Sequence, residues 1–308
     1  MNFDELAANI TNKLIARMEA AELAGTIGGL WTGGGFSHFA PKNATTGAHY
    51  QGFNVVALYC AGTDAEYPTA QWATYKQWKG QDAQVAQGQK GTQIVKWISL
   101  KASDDDGGPA PEDETKTRMI PRVYTVFNAA QVEGFEAIEV ATEPVEILAN
   151  AEMFIANTGA VINRGSAQAY YAPATDQITL PHVDQFVSTE ASYSVALHEL
   201  THWTGAKHRL NRDQTGRMGS ESYAFEELVA ELGAAMLCAR LEISPEPRDD
   251  HAIYLKSWLR SLKDDPKHIF TASSEARAAV EHLEQLQPTN IAQLAVRPLA
   301  NTTTAVDQ

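Results

Sequence analysis

Five residues constrain this 308-residue chain more than any others: His198-Glu199-Leu200-Thr201-His202, set in an apolar run that reads as a helix over residues 193–204. Two histidines four apart lie on one face of an α-helix, about 6 Å from each other, so both imidazoles reach a single metal ion. Glu199 sits about 100° round the helix from His198, where its carboxylate faces water on that ion. The pattern is that of a zinc hydrolase, in which the metal polarises a carbonyl and acidifies water while the glutamate takes the proton as general base. The plain alternative is a helix that carries two surface histidines and one glutamate.

A catalytic zinc takes three protein ligands and keeps one position open, so the two histidines need a partner. His208 completes a formal HExxHxxGxxH, with Gly205 turning the chain and Met218 offered as a Met-turn. Little chain separates His208 from Met218, however, and a better-placed helix follows at 222–240. There Glu227 and Glu231 lie four apart on one face among Leu228, Val229, Leu232 and Ala235, and carboxylates on so apolar a helix need a reason. We favour Glu227 as the third ligand, with Glu231, one turn on, accepting a hydrogen bond from the free ring nitrogen of a ligand histidine. Glu226 or Glu231 as ligand stays open. Otherwise Glu226, with Glu221, belongs on the wet face.

The length leaves room for two ordinary domains. Cys60 and Cys238 lie far apart in apolar surroundings, which argues against a disulfide framework or a zinc finger and points to a reducing, cytoplasmic compartment. The start Met1-Asn2-Phe3-Asp4-Glu5 is no signal peptide, and no apolar run is long enough to span a bilayer. A net charge of −14 argues against coating nucleic acid by bulk charge. Up to Val140 there are 11 Lys and Arg against 16 Asp and Glu, but six of those acids fall in the interval 103–114. Without it the first half is near neutral. Lys76, Lys79 and Lys90 are its candidate phosphate contacts, and Trp72, Tyr75 and Trp78 could stack bases for about 1–3 kcal/mol each, unless they fill a core.

Hydropathy patterning predicts a short amphipathic helix over 3–22 that serves as a lid or docking element, and an irregular glycine-rich loop with Trp31 over 25–35. It further predicts a strand-like or buried run over 53–59, an aromatic helix around Trp72, Tyr75 and Trp78, and strands at 92–100 and 122–127. The interval 103–114 reads as a mobile hairpin loop. In the second half come a helix over 144–157 and a hairpin joining 169–171 to 178–180. The hairpin is the candidate sheet edge beside the metal helix, able to hold an extended peptide by main-chain pairing. Ser188 should start the metal helix and Gly205 stop it. Helices follow at 222–240, 248–262 and 273–286.

Several short blocks in consistent order resemble the ArdC family of plasmid antirestriction proteins, with relatives among conjugation-linked primases. In the second half they are Ala169-Tyr170-Tyr171, Asp176-Gln177-Ile178-Thr179-Leu180-Pro181, the HExxH with Trp203-Thr204-Gly205, Arg209-Leu210-Asn211-Arg212, and the block from Glu226 to Gly233. In the first half they are Asn43, Thr46-Gly47, Tyr50, Gly52-Phe53-Asn54, the blocks 72–77 and 88–92, and Val126-Phe127-Asn128 running on to Gly134. The family's usual Pro-Trp pair appears here only as Trp31.

The resemblance implies an α+β protein: a small mixed α/β single-stranded DNA-binding domain over 1–141 and a zincin-like metallopeptidase domain over 142–300; the polar stretch 301–308 reads as a disordered tail. It implies a plasmid-borne protein that binds single-stranded DNA without sequence preference and shields incoming conjugative DNA from host restriction. The alternative is an active zinc metalloprotease that cleaves DNA-associated or restriction proteins. The expected site is then His198, His202 and Glu227 on Zn2+ or another divalent ion such as Mn2+, Glu199 as catalytic base and Glu231 behind. The expected partners are single-stranded DNA, and host restriction subunits or DNA-bound proteins.

Overall fold

The computed structural model describes residues 3–24, 40–100, 118–135, 144–217, 220–243 and 251–288. The glycine-rich stretch with Trp31, the acidic interval 103–114, the expected boundary at 141–142, Met218 and the tail 301–308 lie outside those residues.

The first half is organised on a four-stranded sheet in the order β1 (Lys42–Asn43), β2 (Gln71–Thr74), β5 (Arg118–Asn128), β4 (Thr92–Leu100). β1 and β2 are parallel; the other pairs are antiparallel, with Trp72 opposite Asn128 and Trp97 opposite Pro121. A second small sheet pairs β3 (Gln84–Val85) antiparallel with β6 (Val132–Glu133). The expected aromatic helix is split in two. Trp72 is in strand β2, and α3 (Tyr75–Lys79) begins only where Thr74 and Gln77 close a reciprocal capping box.

Of the strand-like and buried readings of 53–59 the buried one holds, and the reading of the N-terminal helix as a lid is corrected. The run 53–59 lies in a helix, α2 (Phe53–Asp64), with Val55, Val56, Ala57, Leu58 and Tyr59 all buried. A segment buried on every side shows no periodicity that separates helix from strand. The N-terminal segment is a full helix, α1 (Phe3–Ala24), and it is no lid: Leu6, Ile10, Leu14 and Met18 all enter the main core. Full burial of each such side chain stabilises by about 1.5–3 kcal/mol.

That core runs on without a break into the second half. Its elements are α4 (Pro144–Asn157), a three-stranded sheet, and the helices α5 (Thr189–Thr204), α6 (Glu221–Arg240), α7 (His251–Asp264) and α8 (His268–Gln285). The sheet runs β7 (Val161–Arg164), β9 (Gln177–Leu180), β8 (Tyr170–Ala172), with β7 parallel and β8 antiparallel to β9. α6 packs against α5, α7 and α8, and the indole of Trp258 on α7 donates to the Ala224 carbonyl at 2.8 Å. α1 is tied to the turn after α7 by Thr11, whose hydroxyl donates to the Pro266 carbonyl at 2.8 Å. Phe53 of α2 stacks on Phe270 of α8 with ring centroids 3.4 Å apart.

Candidate metal centre

The local sequence sets where the centre forms. The Ser188 hydroxyl accepts from Ala191 N at 3.0 Å and starts α5, and Gly205 ends it, its N–H bonded to the His202 carbonyl at 2.8 Å. Ser220 caps α6 in the same way, accepting from Tyr223 N at 3.2 Å. The two helices approach closely because position 233 is glycine. A Cβ there would lie 2.6 Å from Thr201 Cγ2, inside any real contact distance.

This approach places Glu227 of α6 against the histidines of α5. His198 Nε2 and His202 Nε2 are 3.2 Å apart, and the Glu227 carboxylate oxygens lie 3.5 Å from the first and 3.6 Å from the second. Among the described residues these three form the cluster whose donor atoms all fall within 4.8 Å of one another. Tetrahedral coordination at about 2.0–2.1 Å separates its donors by about 3.3 Å, so the triangle has the right size for a transition-metal ion.

The proton inventory points the same way. His202 Nδ1–H donates to Glu226 at 3.1 Å, and His198 Nδ1 lies 3.1 Å from Glu231 Oε1. A carboxylate against each Nδ1 holds the proton there and leaves both Nε2 lone pairs facing each other and Glu227. Three convergent acceptors with no proton between them fit a cation.

Glu226 therefore corrects the expectation that it lies on the wet face: it is 6 % exposed and the hub of a buried network. Arg212 donates to it through Nε at 2.9 Å and Nη2 at 2.8 Å, and Gln214 Nε2 donates at 3.0 Å. Arg212 also bonds the Thr201 carbonyl and the Thr204 hydroxyl, which fixes it to the end of α5. Burial alone would raise the Glu226 pKa, but the hydrogen bonds from His202 and Arg212, with the charge of Arg212, outweigh it and hold the carboxyl down to about 2. Burial also works to raise Glu227, and contacts with His198, His202 and Tyr223 carry it below its usual value. Glu221 is exposed, as expected.

Arg212 and Gln214 were not singled out as site residues from sequence. A signal for the arginine existed: three glutamates of one helix turned to two histidines form a surplus of buried negative charge, which calls for a cation from the short connection between the helices. His208, the competing third ligand, is on the surface. Its side chain is 64 % exposed and its Nε2 lies 3.3 Å from Asp176, beside the Arg209–Asp176 ion pair. Its position follows from Gly205, which ends the helix in an αR conformation from which the chain folds back over the helix end.

Glu199 is buried and lines a cavity of about 190 Å³ with the three candidate ligands, Tyr223 and residues 169–171. One wall is thus β8, which occupies an end of its sheet. Two tyrosines line the same cavity: the Tyr171 hydroxyl is engaged with Asp176 and Arg209, and Tyr223 stays beside Glu227.

In the first half the structure separates the proposed DNA contacts. Trp72 and Trp78 are corrected: both are 0 % exposed, Trp72 packs with Leu58, Ile94 and Val126, and Trp78 donates its indole N–H to the Phe127 carbonyl at 3.1 Å. A base cannot reach either ring. Tyr75, Lys76, Lys79 and Lys90 are exposed. The Tyr75 ring meets Phe127 edge-on at 6.5 Å, and a Cβ on Gly91 would touch the same phenylalanine, so Tyr75 and the Lys90 loop flank one ring.

Residues 149–275 match the family described as a zincin-like metallopeptidase, and residues 4–127 match the N-terminal domain of the anti-restriction factor ArdC. Fold and site together define a zincin-like metallopeptidase domain joined to an ArdC-type N-terminal domain. Crystal structures of the antirestriction protein ArdC from plasmid R388 are similar over nearly their whole length. The metal-free form has 36 % identity and a TM-score of 0.70 over 91 % of this chain and 97 % of that one; the Mn(II)-bound form has 35 % and 0.70 over 93 % and 98 %. The chain belongs to the ArdC family of antirestriction proteins. It is also 39 % identical over 286 residues to the uncharacterised protein y4eC of Sinorhizobium fredii, covering 92 % of each. It is 39 % identical over 259 residues to the DNA primase TraC of Escherichia coli, of which it spans 24 %. Among the described residues no helix is long and apolar enough to cross a membrane.

Proposed function

We propose that this chain is an antirestriction protein that binds single-stranded DNA without sequence preference and protects incoming conjugative plasmid DNA. In this reading the first half carries the DNA surface and the second carries a divalent-metal centre. The observation behind it is the family match across both halves. The exposed group of Tyr75, Lys76, Lys79 and Lys90 supports it, offering a ring for bases and cations for phosphates. A chain with net charge −14 has few cations to spend, so the affinity falls only shallowly with salt. Binding of the full chain to mixed-sequence oligonucleotides should fall about tenfold or more when Lys76, Lys79 and Lys90 are changed together to Ala. Unchanged binding in that variant counts against this surface.

Buried Glu199 beside the donor triangle favours a second reading, a metallopeptidase acting on proteins at DNA. His198, His202 and Glu227 would hold the ion, Zn2+ or Mn2+, with the proposed peptidase domain beginning near residue 142. A bound divalent ion supplies Lewis acidity to a carbonyl and to water. Glu199 takes a proton from water on its carboxylate and returns it to the departing amine. Glu226 and Glu231 keep the imidazoles in one tautomer, and the free edge of β8 pairs with an extended peptide. In this reading Glu199→Gln abolishes cleavage of a DNA-bound protein while metal content is unchanged; surviving cleavage removes Glu199 as the base.

A further inference from the structure

A cleft of about 740 Å³ opens where the β4–β5 hairpin faces α8, with Trp97 and Lys96 on the hairpin side and Phe270 and Arg277 on the helix side. Its aromatic residues are in a row. Phe53 stacks on Phe270, Phe270 meets Phe3 at 4.8 Å, and Phe3 meets Trp97 at 5.6 Å. The row starts in the core and ends on an indole that is 51 % exposed. Trp72 and Trp78 of the same half are sealed in. An exposed indole at the free end of a packed row is held in place from behind and offers its other surface to solvent.

The charges around the cleft favour an anion. Lys96 pairs in register with Arg122 across the hairpin, both are exposed, and among the described residues no carboxylate lies within ion-pair distance of either. On the far side Arg277 lies over Gly52, where a Cβ would be 3.7 Å from its Cδ, and its guanidinium reaches Gln51 at 3.4 Å. Glu281 takes one of its N–H groups at 3.3 Å, and the side chain stays 41 % exposed.

We infer that this cleft is a single-stranded DNA subsite shared by the two halves, in which a base stacks on Trp97 while Lys96 and Arg277 hold the flanking phosphates. The inference rests on the single-stranded DNA reading above and deepens it. A flat ring beside separated cations suits an unpaired base on a phosphate backbone, whereas a duplex keeps its base faces stacked on one another. Arg277 belongs to α8, so the strand touches the half that carries the metal centre.

The test is binding of the full-length protein to a fluorescent oligothymidylate, across a salt series. Trp97→Ala weakens binding about tenfold, the loss expected for one stacked base. Trp97→Phe keeps most of the affinity and loses the quenching of indole fluorescence that the oligonucleotide causes in the wild type. Arg277→Gln weakens binding several-fold and makes the slope of log affinity on log salt shallower by about one. If the wild type binds while Trp97→Ala and Arg277→Gln bind equally well, the cleft is overturned and the broader DNA reading stands. If the wild type does not bind single-stranded DNA, both fall.

Discussion

Arg212 shows how much of the metal centre depends on a residue that touches no candidate ligand. It holds Glu226, and Glu226 holds His202. Partners behind a ligand histidine are worth about 10–100-fold in metal affinity, so Arg212→Ala should weaken divalent-metal binding by that factor in competition with a chelator. It also leaves Glu226 buried without its cation, and the melting temperature of the metal-free protein should fall by an amount equivalent to about 3 kcal/mol. An unchanged affinity would mean that Gln214 alone orients Glu226. The histidine pair and the neighbouring Glu199 were readable because helical spacing alone decides what shares a face. Glu226 was not readable: it lies about 100° from Glu227, and only the packing of the Arg212 segment makes that side an interior.

At the scale of elements, Gly233 decides whether the three donors meet. A methyl at 233 would sit 2.6 Å from buried Thr201, so α6 must move off α5 to accept it. Gly233→Ala should lose about 1–3 kcal/mol in urea unfolding, as overpacked cores do, and bind metal more weakly as well. Full stability in that variant would show that the helix pair has slack. α4, β4 and β5, which keep exposed positions, were legible from periodicity, whereas α5 and α6 are buried over most of their length and were legible from that length and, for α5, from its caps. The segment 53–59 was not, because it is covered on all sides. Trp72 and Trp78 misled for a related reason: a tryptophan on a small domain serves core and nucleic acid equally well in sequence, and burial alone separates the two.

At the scale of the molecule, one core joins the halves, and His49 lies at the seam. Burial, then the charges of Arg240 and Lys42, push its pKa down to about 3 from 6.5, against a hydrogen bond with Ala40 that raises it. The folded state thus keeps His49 neutral while the unfolded chain takes up a proton below pH 6.5. Its contribution to stability is complete above that pH and is lost as the pH falls toward 3. The melting temperature of His49→Gln should decline less steeply over that window than that of the wild type; parallel declines would place the pH dependence elsewhere. The two-part design was legible from the separate clusters of motif residues, but their shared core was not, since contacts between α1 and α7 leave no short-range pattern. In the function proposed above, the DNA surface carries the protection. It is tested most directly by conjugative transfer into a host with one restriction system, comparing wild type, Glu199→Gln, and the Lys76, Lys79, Lys90 triple alanine variant. The account predicts that Glu199→Gln protects as well as wild type and the triple variant does not. Full protection by a triple variant that has lost single-stranded DNA binding would contradict it.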